Sequence, residues 1–403
     1  MDVGIDAIGL ALPPLTLELA ALAHARGVEP AKFIDGLGTT RISVPPVDED
    51  TVTLAVRAGR SALERAGVAG SEIGLCVVGT ETAVDHSKPV TAFVHGLLGL
   101  GPGCRIYETK HACYGATAGL QTALDWIRSG SARGKKALVI GSDIARYGLG
   151  TPGEPTQGAG AVALLVGESP RLVAFETGKV GTFARDVNDF WRPLYSKDAV
   201  VDGHYSVTCY LEALEGAYRA YVEHSDDRRE ARGDSPFFSD RFAAIAYHVP
   251  YGKMAVKAHK HLRALEGDAD ASKSFDRLVA PGLALPRLVG NIYTGSLYLA
   301  LASALTETKD DLAGRPVALF SYGSGSCAEL FSGIVARGAQ DFARGSGWRA
   351  LIEGQRVIDV AEYESIMDAR EAMDARPAAD RDGPGASAPR FLGVREHRRI
   401  YSA

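Results

Sequence analysis

One cysteine lies at the boundary between a strand-like segment and a helical one. Cys113 follows residues 105–109, whose alternation is typical of a strand, and precedes residues 116–127, whose apolar side chains recur at helical spacing. At a helix N-terminus the unpaired N–H groups and the positive end of the dipole favour a thiolate, the form that attacks thioesters. A buried core cysteine is the alternative. The small Ala, Gly and Thr residues around Cys113 leave room for a substrate and favour a nucleophile.

A carboxylate and an imidazole occupy comparable positions. Glu81 follows the apolar strand-like run that begins at residue 73, and His248 stands at the end of a predicted strand over residues 242–248. Strand ends of this kind hold the chemistry of many α/β folds. Asn291 precedes a helix of small residues much as Cys113 does. For Glu81, a surface residue that caps a helix is the alternative interpretation.

Together, these residue types suit carbon–carbon bond formation on thioesters. A thiolate accepts an acyl group as a new thioester, and a carboxylate beside the acyl methyl can remove a proton if preorganised donors meet the enolate oxygen. His248 and Asn291 would donate to the carbonyl of the second substrate. Cysteine and histidine alone would equally suit a cysteine protease or a simple acyl transferase. Glu81 is the residue that adds carbon-acid chemistry.

The elements that must hold these residues alternate between strands and helices, which predicts an α/β fold. Further strands are predicted at residues 3–13, 135–148 and 157–167, and helices at residues 15–27, 48–67 and 210–224. Loops over a pocket are predicted within residues 172–214, and a solvated loop at 225–234. The order of elements around Cys113 recurs weakly around Asn291, which suggests an internal duplication. A final strand is predicted after a linker at residues 375–389.

Composition excludes several classes of function. The 403 residues are 46% hydrophobic, enough for two domain-sized halves. The net charge of −5 argues against nucleic-acid binding. No apolar run approaches about 18 residues, and Asp2 and Asp6 stand where a secretory signal needs basic charge. We therefore expect a cytoplasmic protein without membrane association. The five scattered cysteines contain no C-x-x-C pair and predict reduced thiols and no metal site.

A basic helix is predicted after His248. It carries four cations on an otherwise acidic chain: Lys253, Lys257, Lys260 and Arg263. Such a face is most simply solvated. Beside a pocket, it could instead meet the phosphates of an acyl carrier.

Six segments resemble the motifs of the 3-hydroxy-3-methylglutaryl-CoA (HMG-CoA) synthase family, from residue 3 to the final strand: VGIDAIGLALP, HACYGATAGLQ, EPTQGAGAVALLVG, YHVPYGKM, VGNIYTGSLYLALAS and FSYGSGSCAEL. The resemblance implies a thiolase fold, with five α-β-α-β-α layers built from two similar halves. The halves would be residues 1–170, with Glu81 and Cys113, and residues 171–403, with His248 and Asn291. It further implies a homodimer that needs no cofactor beyond the phosphopantetheine of its substrates.

The resemblance also implies roles for individual residues. Cys113 would carry the acetyl group, Glu81 would be the general acid and base, and His248 would orient and polarise the ketone. Further positions match residues that line the substrate and carrier tunnel in the family: Asn291, Ser324, Ser206, Lys253 and Lys257.

Within the family, the chain resembles the synthases of polyketide β-branching more than the mevalonate enzymes. The features are Lys110, the run GKMAVKAH, residues 280–283 and the SYGSGSCAE motif. This branch implies acyl carrier proteins as donor and acceptor partners, whereas mevalonate enzymes use acetyl-CoA and acetoacetyl-CoA. Pro152 stands where the mevalonate enzymes of higher organisms carry an Asn, so the resemblance does not extend to a CoA contact at this position.

Two classes from outside the family remain as alternatives. Ketosynthases that prime fatty-acid chains share the thiolase fold and use Cys, His and Asn, but they lack a carboxylate at the position of Glu81. A catalytically silent binding subunit would be expected to lose the cysteine, and Cys113 is present.

Overall fold

The structure is a computed structural model that describes residues 2–224, 237–268, 270–378 and 388–402. The strands are β1 (Val3–Ala11), β2 (Leu15–Glu18), β3 (Arg41–Val44), β4 (Ile73–Gly79), β5 (Arg105–Thr109), β6 (Lys136–Ala145), β7 (Gly158–Glu168), β8 (Val173–Ala184), β9 (Phe190–Trp191), β10 (Val200–Val201), β11 (Ala244–Tyr247), β12 (Pro316–Gly323), β13 (Cys327–Val335), β14 (Arg356–Ile358), β15 (Phe391–Arg395) and β16 (Arg398–Tyr401). The helices are α1 (Leu19–Ala25), α2 (Pro30–Leu37), α3 (Thr51–Ala66), α4 (Val90–Leu97), α5 (Gly115–Arg128), α6 (Gly203–His224), α7 (Gly252–Leu265), α8 (Ser272–Leu278), α9 (Ser296–Glu307), α10 (Ala339–Arg344), α11 (Trp348–Glu353) and α12 (Val360–Glu371).

Nine strands form one continuous sheet in the order β11-β12-β13-β8-β1-β7-β6-β4-β5. The two halves of this sheet join at its centre, where β1 pairs with β8 over two residue pairs, Gly4 with Ala174 and Ile5 with Val173. In the first half, β4 is parallel to both β5 and β6, and in the second half β11 is parallel to β12. Parallel neighbours end at the same edge, so the segments that follow them are brought together.

The helices lie in layers around this sheet. In β4, Val77 belongs to the core shared with α5, while Val78 belongs to the core shared with α3, as the alternation of a strand requires. In β12, Ser321 hydrogen-bonds Thr117 of α5 (2.7 Å), whereas Tyr322 packs against Tyr210 of α6. The helix α5 therefore lies between the two halves of the sheet, with α3 and α6 outside. This arrangement agrees with the predicted layers of the thiolase fold.

Local signals explain why α3 has its bounds. Asp50 caps the helix by accepting a hydrogen bond from the Thr53 N–H at 3.0 Å, and Thr53 Oγ1 accepts from the Asp50 N–H in return. Gly67 ends the helix at φ +68°, a left-handed conformation that favours glycine. The helix predicted at residues 48–67 is confirmed.

The helix predicted over residues 15–27 is partly wrong. Its first four residues form β2, which pairs with β3 through Leu15–Val44 and Leu17–Ile42, and α1 begins only at Leu19. Residues 15–18 fit the alternation of a strand as well as the spacing of a helix. Their pairing with β3 decides that they form a strand.

The loops predicted within residues 172–214 are also partly wrong. Residues 173–184 form β8, which pairs along most of its length with β13, and α6 begins at Gly203 rather than Tyr210. The partner strand lies about 150 residues further along the chain, and local pattern does not reveal it. The loop predicted at residues 225–234 lies outside the described residues.

Two smaller differences concern the ends of elements. The strand predicted at residues 242–248 is confirmed in a shorter form, as β11. The predicted final strand is a hairpin of β15 and β16, which turns at Glu396 and His397 with positive φ angles. No helix among the described residues is long and apolar enough to cross a membrane.

Candidate active site

Cys113 and Glu81 are in direct contact. The thiol of Cys113 donates a hydrogen bond to Glu81 Oε1 at 3.1 Å. The Glu81 side chain is only 6% exposed, so this pair is shielded from water. The structure thus brings together the two residues that the sequence proposed as nucleophile and base.

Neighbouring parallel strands produce this contact. The ends of β4 and β5 are paired through Gly79 and Thr109, and the Thr80 N–H continues the pairing to the Thr109 carbonyl oxygen at 3.2 Å. The chain then enters α5 immediately beyond Cys113. A Cβ on Gly79 would lie 2.3 Å from the Ala116 backbone nitrogen, so glycine is required for α5 to begin this close to β4.

The charge state of Cys113 differs from the sequence expectation of a thiolate. Burial raises the pKa of the Cys113 thiol well above its usual range, and the carboxylates of Glu81, Asp143 and Asp189 raise it further. The resting residue is therefore a thiol that donates its proton toward Glu81.

Burial also raises the pKa of Glu81, to about 8, and the nearby carboxylates of Asp143 and Asp189 add to the effect. The hydrogen bond from Cys113 and the positive charge of Arg192 oppose it. A carboxyl group whose pKa lies near the working pH can both accept and return a proton. Its environment therefore suits general acid–base chemistry.

Asp143 organises this region, although the sequence analysis did not single it out. It is fully buried, and its Oδ1 accepts hydrogen bonds from Thr80 Oγ1 (2.8 Å), the Glu81 N–H (2.9 Å), and the N–H and hydroxyl of Thr82. Its Oδ2 accepts from the N–H and hydroxyl of Thr294 in the second half. The sequence signal that could have identified Asp143 is its position as a carboxylate within the mostly apolar strand β6.

The β12–β13 hairpin brings the second half against Cys113. A Cβ on Gly323 would lie 2.6 Å from the His111 carbonyl oxygen and 2.7 Å from the Tyr114 backbone nitrogen, the residues on either side of the nucleophile. Asp189 holds the hairpin in place, since it accepts from the Tyr322 hydroxyl at 2.7 Å and from the Gly325 N–H at 3.0 Å. The sequence analysis did not identify Asp189 either.

His248 follows β11 beside the same hairpin strand. The backbone N–H of His248 donates to the Phe320 carbonyl oxygen at 2.8 Å. Its backbone carbonyl oxygen accepts from the Tyr210 hydroxyl, also at 2.8 Å. Burial lowers the pKa of the imidazole to about 3, so it is neutral at physiological pH. Nδ1 is buried without a hydrogen-bond partner among the described residues. The ring can therefore hydrogen-bond a substrate carbonyl without carrying a charge.

Asn291 is buried, and its side-chain orientation is fixed. Its Oδ1 accepts from the Tyr293 N–H at 2.8 Å and from Ser296 Oγ at 3.0 Å, so the amide NH₂ is the donor end of the side chain. Its backbone packs on the first half, because a Cβ on Gly158 would lie 2.7 Å from the Asn291 carbonyl oxygen. Asn291 is thus held at the junction of the two halves.

The remaining predicted tunnel residues lie at several places. Ser324 lies in the β12–β13 hairpin next to Gly323, and Ser206 lies in the first turn of α6. Lys253 and Lys257 are exposed on α7. The described contacts do not link Ser206, Lys253 or Lys257 to Cys113, so their place in a tunnel stays a prediction.

Arg263 does not share the exposed face of α7. Its guanidinium is buried and paired with Asp268, with Asp240 at 3.3 Å and with Glu266 at 3.5 Å. The basic face proposed from the sequence therefore consists of Lys253, Lys257 and Lys260. Helical spacing placed Arg263 near them, but its acidic partners lie just beyond the end of α7, at Glu266 and Asp268, and before β11, at Asp240.

Family models and a curated relative match almost the whole chain. Residues 1–170 match the family described as "Hydroxymethylglutaryl-coenzyme A synthase N terminal", and residues 173–274 and 263–379 match its "C terminal" counterpart. A hydroxymethylglutaryl-CoA synthase of Enterococcus faecalis is 38% identical over 369 residues, which cover 91% of each chain.

Two solved structures superpose over the whole chain. One is "MvaS in complex with 3-hydroxy-3-methylglutaryl coenzyme A", with a TM-score of 0.94, 45% identity and 99% of that chain covered. The other is the curacin biosynthetic pathway HMG synthase in complex with acetyl donor-ACP, with a TM-score of 0.91, 30% identity and 100% of that chain covered. The family matches, the identity and the shared thiolase fold establish that this chain belongs to the hydroxymethylglutaryl-CoA synthase family.

Proposed function

We propose that the protein condenses a Cys113-bound acetyl group with a β-ketoacyl thioester and then releases an HMG-like product by hydrolysis. It would be an acyltransferase in which the acyl group becomes an alkyl branch. The observation that carries the proposal is the 3.1 Å hydrogen bond from the Cys113 thiol to the buried carboxyl group of Glu81.

Acetyl transfer comes first. The sulfur of Cys113 attacks the carbonyl carbon of an acetyl thioester while Glu81 Oε1, its hydrogen-bond acceptor, takes the thiol proton. The bond to the carrier sulfur then breaks, and the carrier leaves as a thiol with that proton. Because the resting residue is a thiol, a base in contact with it assists this step.

The same carboxylate is suited to the second step. Once the sulfur is acylated, Glu81 can remove a proton from the acetyl methyl group, and the resulting enolate attacks the β-carbonyl carbon of the second substrate. The alkoxide that forms takes the proton back. Water finally hydrolyses the Cys113 thioester, which gives a free carboxylate branch and restores the thiol.

The neutral imidazole of His248 would donate a hydrogen bond to the β-carbonyl oxygen and stabilise the alkoxide that develops there. The donor end of Asn291 would assist. A donor that is already fixed by packing loses little free energy to reorganisation during the reaction. Both side chains are buried, the His248 ring stacks on Tyr210, and Asn291 Oδ1 accepts from the Tyr293 N–H.

The carrier of the acyl groups is a separate question. The similarity to MvaS, at 45% identity against 30% for the curacin synthase, supports free CoA, with acetyl-CoA and acetoacetyl-CoA as substrates. The exposed face of Lys253, Lys257 and Lys260, together with the curacin complex with acetyl donor-ACP, supports carrier proteins and the β-branching reaction favoured by the sequence. We propose CoA first and the carrier protein as the second candidate.

The experiment that tests the common mechanism is mass spectrometry of the intact and digested protein after incubation with acetyl-CoA. We expect one acetyl adduct on Cys113, absent in Cys113→Ala and retained in the control Cys104→Ala, because Cys104 lies before β5 and away from Glu81. An adduct on Cys76, Cys104, Cys209 or Cys327 in place of Cys113 would refute the proposal. Release of an HMG thioester on adding acetoacetyl-CoA or an acetoacetylated carrier protein then identifies the acceptor.

A further inference from the structure

Arg192 connects the loop between β9 and β10 to Glu81. Its guanidinium donates a hydrogen bond to the Glu81 backbone carbonyl oxygen, and the same nitrogen lies 4.0 Å from Glu81 Oε2. The other carboxyl oxygen, Oε1, accepts from Cys113. The two oxygens of Glu81 therefore have different neighbours, a thiol and a cation.

The position of Arg192 is fixed by aromatic packing. The ring of Phe190, two residues earlier, packs edge-on against Tyr147 and Tyr293, with ring centroids 6.5 and 5.8 Å apart. Further along the loop, Lys197 donates to the Glu371 carbonyl oxygen at 2.6 Å. The Arg192 side chain is 20% exposed and that of Glu81 is 6% exposed, so water screens their interaction only in part.

The groups that face Glu81 from the surrounding elements are mostly acidic or neutral. Besides the thiol of Cys113, they are the carboxylates of Asp143 and Asp189 and the phenols of Tyr147 and Tyr293. Within the described part of the chain, Arg192 is the cation that forms an ion pair with Glu81 at 4.0 Å or less. Its charge therefore opposes protonation of the base, together with the hydrogen bond that Cys113 donates to Glu81.

We propose that Arg192 is a positioning residue whose charge increases the ionised fraction of Glu81, the form that accepts the proton of the acetyl methyl group. The inference rests on the proposed function, because it assigns Arg192 to the base of that reaction. It adds a residue from a loop that the sequence analysis treated only as a cover.

The sign of the effect follows from the charge. Glu81 acts as a base only when ionised, so the rate of condensation rises with pH through the pKa of Glu81. An opposite charge about 4–6 Å away lowers the pKa of a carboxyl group by about one to three units. Removing the charge of Arg192 must move this limb of the profile to higher pH.

The experiment compares Arg192→Gln, Arg192→Lys and the parent enzyme in single-turnover condensation from the acetylated protein, from pH 6 to 10. We expect the midpoint for Arg192→Gln to rise by about one to three units, with rates that recover at high pH. Arg192→Lys should stay close to the parent, because it keeps the charge. The control is Arg185→Gln, which removes an exposed arginine paired with Glu212.

Three results would overturn the inference. One is an Arg192→Gln midpoint equal to that of the parent with a rate lowered equally at every pH, as a purely structural role predicts. Another is an equal shift in Arg192→Lys, which would assign the effect to geometry and not to charge. The third is loss of folded protein for Arg192→Gln together with a lowered, unshifted profile for Arg192→Lys.

Glu81→Gln in the same assay separates this inference from the proposed function. If Glu81→Gln abolishes condensation while Arg192→Gln leaves the midpoint unmoved, only the role of Arg192 fails. If Glu81→Gln condenses at the parent rate, the proposed function fails as well.

Discussion

Asp143 of the first half accepts a hydrogen bond from the Thr294 N–H of the second half at 3.1 Å, while its other oxygen binds the Glu81 N–H at 2.9 Å. One buried carboxylate thus fixes the backbone of the proposed base and the loop that follows Asn291. The side chain of Asp143 therefore couples the two halves of the site.

Asp143→Asn should lower both stability and condensation. An amide at this position cannot accept at both ends, so at least one of its buried donors loses its partner, at a cost of about 1–3 kcal/mol in the free energy of unfolding. Urea denaturation measures this loss. The control Asp125→Asn, on the exposed side of α5, should change stability little, and equal effects of the two substitutions would contradict the role of Asp143.

Glu81→Gln should affect condensation more than acetylation. An amide cannot remove a methyl proton, and loss of a positioned base costs about a hundredfold to ten-thousandfold in rate. The amide can still accept the hydrogen bond from Cys113, and removing the negative charge lowers the pKa of the thiol. Rapid-quench measurement of acetyl-enzyme and product separates the two steps, and equal losses in both would argue against a separate role in condensation.

His248→Ala should likewise spare acetylation more than condensation, because the proposed partner of the imidazole is the second substrate. The pKa of His248 is lowered to about 3 by burial, so the ring stays neutral as pH falls from 8 to 5. His248 should therefore add no titration near pH 6.5 to the pH profile of condensation. The profiles of the parent enzyme and of His248→Ala should have the same shape in that region. A pH profile of condensation that contains such a titration would mean that His248 is exposed to water and charged.

Lys257→Glu and Lys260→Glu should distinguish the two carriers. Both side chains are exposed, and charges at a docking rim mainly raise the association rate and are screened by salt. If carrier proteins are the substrates, acetyl carrier protein should be the better donor at low ionic strength, and either reversal should erode that preference.

The control for this test is Lys309→Glu, which reverses an exposed charge on another part of the surface. Acetylation from excess acetyl-CoA should persist in all three variants. Turnover with acetyl-CoA and acetoacetyl-CoA is compared directly with turnover on the carrier-protein substrates. If the CoA substrates are turned over as fast or faster, and the charge reversals do not change this, the protein uses CoA substrates.

The sequence alone determined the elements that carry the reacting groups. Cys113 lies between β5 and α5, and Glu81 follows the buried strand β4, because an alternating or apolar run and helical spacing are properties of consecutive residues. The family motifs around these residues also indicated the thiolase fold, which the solved structures confirm. The boundary at residue 170, the homodimer, the cytoplasmic location and the roles of individual residues stay predictions.

The tertiary structure alone decided how these groups interact. The sequence favoured a thiolate at Cys113, whereas burial beside three carboxylates makes it a thiol. Asp143, Asp189 and Arg192 reach the site from other elements, and Arg263 leaves the basic face because it is buried and paired with acidic groups. Hydrogen bonds and desolvation depend on partners that are distant in the chain, such as Glu81 and Arg192, and local periodicity carries no information about which of these meet.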